Sequence, residues 1–160
     1  MRKVIKIGLV VLVLVLAGAQ FIRPTFSNPP IVPGQSIDEV MDVPAEVNAI
    51  LERSCSDCHS NRTNYPWYSY ITPVNWFLAD HIRHGREELN FSEWSSYSVN
   101  RRNKKLEEIC EEVTGGSMPL PSYLWIHRDA QLDVHQKAIL CDWARAAGSL
   151  DGGVPNEPER

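Results

Sequence analysis

The sequence has no excess of positive charge: 16 Lys and Arg face 20 Asp and Glu, a formal net charge of -4. Nucleic-acid binding is therefore not expected, because it needs a basic patch that displaces phosphate counterions. Cysteine is scarce, four in 160 residues, which excludes a small disulfide scaffold and makes spacing more informative than number. Methionine is scarcer still, with Met1, Met41 and Met118 alone. No segment sustains the period-two alternation of a half-buried strand, and there is no internal repeat or low-complexity tract. Apolar surface is plentiful by contrast: 43% of residues are hydrophobic, among them five Trp, five Tyr and four Phe. That is enough to offset the ordering entropy of one compact domain.

The two ends of the chain differ from its middle. Arg2, Lys3 and Lys6 precede an apolar run from Ile7 to Ala19, the layout of an export signal. Residues 1–22 are read as a signal or membrane anchor, uncleaved in the favoured reading and released if cut after Ala19. The positive-inside rule then puts the rest on the periplasmic side of the cytoplasmic membrane, where thiols are oxidised. Without residues 1–22 and their three cations, 13 basic side chains face 20 acidic ones, a net charge of -7. Residues 23–41 are Pro-rich and predict an extended spacer, 42–150 the folded domain, and 151–160 a flexible tail.

Within the domain the periodicity is helical. Val47, Ile50 and Leu51 predict a helix over 42–54 that leads into Cys55. Further helices are expected over 74–89 and 101–113, the second ending at Gly115-Gly116. That helix carries Arg and Lys near its start and Glu near its end, opposing the helix dipole, so packing must hold it. The last helix starts at a capping box of Asp133 and Gln136 and is expected to end at Gly148. The fold class is all-α: a small helical domain with long aromatic-rich loops.

Cys55-Ser56-Asp57-Cys58-His59 is a C-x-x-C-H run, the attachment sequence of a c-type haem. Thiols three residues apart reach the two vinyl groups on one haem edge, and the adjoining His59 becomes the proximal iron ligand. A redox C-x-x-C would sit in a βαβ unit, which is missing, and structural zinc would need a second close ligand pair. A plain Cys55 to Cys58 disulfide is the remaining rival. Haem c, one per chain, is the expected cofactor.

For the sixth ligand, Met41 lies too near the attachment site in sequence, which leaves Met118 in the loop Gly115-Gly116-Ser117-Met118-Pro119. A thioether there would raise the reduction potential. Histidine is the alternative, His81 ahead of His84 and His127, and an open site is the third. Arg83, Arg86, Trp67, Tyr70 and Trp76 are candidates for covering the ring or pairing with its propionates. Cys110 and Cys141, one on each of two helices, are expected to form a disulfide in an oxidising space.

Several further residues carry a resemblance. Cys55 to Ser60 with Asn61 and Thr63, the block Tyr65-Pro66-Trp67-Tyr68, Pro73-Val74 with Trp76, His81-Ile82 with Gly85-Arg86, Asn90-Phe91-Ser92 with Trp94, Met118-Pro119 and Trp143 resemble the exported haem-binding domain family. The resemblance covers most of residues 28–147 and implies covalent haem. The order of attachment helix, Met loop and C-terminal helix is similar to class I cytochromes c. With His59 and Met118 closing the iron, the expected function is one-electron transfer between redox partner proteins. The alternatives are an enzyme or sensor with an open sixth position, and a haem module docking on a membrane complex through the charged segment from Arg101 to Glu112.

Overall fold

The computed structural model describes residues 1–151, and no strand occurs among them. The helices are α1 (Arg2–Ala19), α2 (Ile37–Val40), α3 (Ala45–Ser54), α4 (Ser56–His59), α5 (Val74–Glu88), α6 (Val99–Gly115), α7 (Pro121–Leu124) and α8 (Val134–Asp151). Three 3-10 turns, Trp67–Tyr70, Phe91–Ser96 and Arg128–Ala130, complete the order. The all-α expectation holds. The tail expected over 151–160 lies, apart from the backbone of Asp151, outside the described residues.

The core forms where the apolar faces of α3, α6 and α8 meet. Val47 and Leu51 of α3, Leu106 of α6 and Leu140 of α8 are almost wholly buried around Trp94, which is 0% exposed. The opposed dipole of α6 is offset locally at both ends. Ser98 caps its start by accepting from the Arg101 N–H, and Gly116, at φ 79°, takes the left-handed conformation that closes its end. The Cys110–Cys141 disulfide staples α6 to α8, as the sequence suggested.

The last helix begins where expected. Asp133 Oδ1 accepts from the Gln136 N–H at 2.8 Å and Gln136 Oε1 from the Asp133 N–H at 3.2 Å. It does not stop at Gly148 but runs to Asp151. A glycine inside a helix costs about 1 kcal/mol relative to alanine, less than the packing against α6 supplies. Gly148 faces that helix, with Asn103 Oδ1 and Leu106 Cδ1 both 3.9 Å from where a Cβ would stand.

The stretch read as a spacer is partly folded. Glu39 accepts from the Ser36 N–H and hydroxyl, and this capping box starts α2 and buries Ile37 to 4% exposure. Upstream, α1 buries no residue. After Arg2, Lys3 and Lys6, its apolar part from Ile7 to Ala19 rises only about 20 Å, short of a hydrocarbon layer of about 30 Å. No helix among the described residues is long and apolar enough to cross a membrane, so the spanning anchor expected from the sequence is not supported.

Candidate haem site

The C-x-x-C-H run folds as a single helical turn hung from the end of α3. Cys55 closes that helix through its N–H to Leu51 O, then accepts from the N–H groups of Cys58 at 3.1 Å and His59 at 3.0 Å. Residues 63 and 64 tie the turn down: Thr63 Oγ1 donates to Asp57 O, and the Asn64 N–H donates to Asp57 Oδ1. Cys55 and Cys58 are both free thiols. Burial pushes Cys55 up to about 12 and Cys58 up to about 11, so both stay protonated.

His59 is fixed from behind by α5. Its Nδ1 lies 2.9 Å from Gly85 O and 3.1 Å from Leu89 O. Both are carbonyl oxygens, so Nδ1 carries the proton and Nε2 keeps its lone pair. That is the tautomer and orientation a metal-bound imidazole needs. Burial holds the ring's pKa below the ordinary histidine value, which favours this neutral form.

The approach of α5 to the turn depends on Gly85. A Cβ at that position would stand 2.7 Å from Cys58 O and 3.3 Å from Cys58 Cβ, closer than atoms pack. The missing side chain lets the α5 backbone carry Gly85 O to the imidazole. Arg86, on the next position, donates to Ser60 O, Thr63 Oγ1 and Asn28 Oδ1. It therefore braces the loop and is not a free propionate partner, and Arg83 is taken by Asp80 and Glu87.

Two adjoining cavities of about 270 and 260 Å³ flank the turn, and both are lined by Cys55, His59, Met118 and Pro119. One continues along Ile109 and Val113 of α6, the other along His81, His84 and Tyr123. Each is near the lower end of the volume of a cofactor pocket, and together they form one cleft of suitable size. The structure thus brings Cys55, Cys58, His59 and Met118 to the same cleft. Met118 is held in it by its N–H to Glu112 O. Met41 is engaged elsewhere, its Sδ accepting from Trp94 Nε1 at 2.8 Å.

Among the other histidines, His81 and His84 line the cleft and His127 does not. His81 gives Nδ1–H to Phe77 O, whereas His84 Nε2 accepts from Arg83. His127 instead pairs with the Tyr68 hydroxyl and stacks on Tyr123, ring centres 4.2 Å apart. Tyr123 in turn donates to Asp57 Oδ2 at 2.9 Å. The loop that carries Met118 is thereby clamped to the residue between the two thiols. Sequence reading missed this clamp, since no local pattern marks a contact across 66 positions. In the charged segment of α6, Lys104 and Lys105 pair with Glu108, and Lys105 also with Glu88.

The fit to haem rests on chemistry visible in the site: a neutral imidazole with one committed nitrogen, two free thiols on one edge, a thioether, and an apolar cleft. Comparison with curated proteins and with solved structures finds no match. A family model described as the haem-binding domain matches residues 14–146. Spanning most of the chain and including every residue of the cleft, that match makes this protein a member of the haem-binding domain family and a haem-binding protein.

Proposed function

We propose that this protein is an exported one-electron carrier that holds one haem c, attached through Cys55 and Cys58 with His59 and Met118 as axial ligands. One observation carries the reading. His59, its Nδ1 committed to Gly85 O and Leu89 O, presents Nε2 in a cleft that also contains both free thiols and Met118. The bound group would supply an iron that changes charge by one electron.

The protein's own residues then have separable tasks. The Cys55 and Cys58 thiols would hold the macrocycle at one edge by adding across its two vinyl groups. His59 donates through a nitrogen kept basic by its two carbonyl partners. Met118, a soft and uncharged thioether, would favour the reduced iron and raise the potential. Ile109, Val113 and Pro119 would give the bound group an apolar wall on the α6 side. Export is supported by Arg2, Lys3 and Lys6 ahead of the Ile7 to Ala19 run, and by a disulfide suited to an oxidising compartment. Its partners in this role are redox proteins of that compartment.

The test is the spectrum of protein matured with the haem-attachment machinery. A low-spin spectrum with a Met-to-iron charge-transfer band, lost in Met118→Ala, is expected, and haem should stay on the chain after denaturation unless both Cys55 and Cys58 are replaced. Rapid binding of carbon monoxide by the unaltered ferrous protein would overturn the carrier reading in favour of an open-site enzyme or sensor. Haem that leaves on denaturation would overturn covalent attachment.

A further inference from the structure

The surface around the Trp67–Tyr70 turn exposes aromatic side chains on a stretch of chain, residues 58–79, that carries no carboxylate. Trp67 is 74% exposed, Tyr70 55%, Phe77 52% and Trp76 41%, and Ile71 and Val74 are exposed between them. These residues share the Trp67–Tyr70 turn and the first turn of α5. Exposed apolar clusters of this kind are rare on a soluble surface and mark interaction sites. The segment after α1 runs along the same face. Gln20 exchanges hydrogen bonds with Thr72 O and the Thr72 N–H, Trp76 Nε1 donates to Ile22 O, Phe26 packs on Tyr65 with ring centres 5.0 Å apart, and the Tyr65 hydroxyl donates to Ser27 O.

The charge pattern selects the partner. All 20 acidic residues lie outside residues 1–37 and 58–79, although the chain as a whole is acidic. The charges within those two segments are cationic: Arg23, exposed and bonded to Gln20 O, lies along the face, whereas Arg62 lines a cavity with Asp38, Glu52, Asp57 and Asp129. Tryptophan and tyrosine have an apolar ring and a polar edge, which suits the boundary between headgroups and acyl chains. Cations beside them attract anionic lipid.

We propose that the face built from residues 20–28 and 65–77 docks on an anionic bilayer surface, with Trp67, Tyr70, Trp76 and Phe77 in the headgroup region. This in-plane contact needs no spanning helix. Phe77 also packs against His81, ring centres 3.9 Å apart and tilted, and His81 lines the cleft, so the docked face ends at the lip of that cleft.

The test uses the full-length, haem-loaded chain with vesicles of equal parts phosphatidylcholine and phosphatidylglycerol containing a photoactivatable phospholipid. Lipid adducts mapped by mass spectrometry should fall within residues 65–77. They should drop about tenfold in Ile71→Glu/Val74→Glu, while the haem spectrum is unchanged, since both side chains are exposed and neither lines the cleft. Adducts confined to residues 1–22 would overturn the proposal. So would protection of the face that depends on protein concentration without lipid, which would identify a second copy as its occupant.

Discussion

His59 links fold stability to proton concentration. Its imidazole is buried and neutral, so its pKa in the folded protein is below the ordinary value that the unfolded chain shows. As pH falls through the ordinary histidine range, the unfolded chain takes up the proton first, and the folded state loses ground until pH reaches the lowered value. For protein prepared without haem, the urea midpoint should therefore hold near about pH 7.5 and fall toward about pH 5. The slope should flatten in His59→Gln, whatever that change does to overall stability. Tyr123 bears on the loop that precedes it, which carries Met118. Tyr123→Phe keeps the ring stack on His127 but removes the donor to Asp57 Oδ2, at an expected cost of about 1 kcal/mol. With the clamp on the Met118 loop gone, the Met-to-iron band of the loaded protein should weaken. Tyr68→Phe removes a comparable bond, to His127, without touching Asp57, and should leave the band intact.

At the scale of elements, the contact between α4 and α5 is the one the site depends on most. Gly85→Ala would put a Cβ against the Cys58 carbonyl at 2.7 Å, and neither backbone can yield without moving His59 away from Gly85 O. Overpacking of this kind costs about 1–3 kcal/mol. Thermal unfolding should register that loss, and the yield of haem-loaded protein should fall with it. The helices themselves were largely legible in the sequence, because α3, α5, α6 and α8 announce themselves through three-and-four apolar spacing and through the stop at Gly115-Gly116 and the cap at Asp133, whereas the Ser98 cap that starts α6 two residues before the expected 101 was not read. Those signals are local. The same signals end α8 at Gly148, because propensity carries no information about the α6 surface beneath it. They also leave Ser36 to Val40 as spacer, since a four-residue helix is too short to show a period. That Cys55, Cys58 and His59 come together was legible, because their spacing is that of a single turn. The acceptors Gly85 O and Leu89 O were not, being 26 and 30 positions away and on the backbone, where side-chain identity leaves no trace.

For the whole molecule, α6 is the element that joins the haem cleft to the rest of the core. Its Ile109 and Val113 line the cleft, while its neighbouring turns pack on α8, to which Cys110 is bonded across 31 positions. A bridge closing a loop of that length stabilises the fold by restricting the unfolded chain, by about 3–4 kcal/mol. Cys110 and Cys141 are 8% and 3% exposed, so a mild reductant should reach them slowly in the folded protein and readily once it opens. Cys110→Ala/Cys141→Ala should therefore lower the midpoint of chemical unfolding by an amount of that order. Cys55 and Cys58 remain in this variant, so its haem attachment and its axial spectrum should match those of the parent. A shift in the spectrum on removing the bridge would mean that α8 tension reaches the cleft through α6. An unchanged spectrum with lower stability separates the two roles of α6: one face holds the fold together, and the other shapes the cavity beside His59.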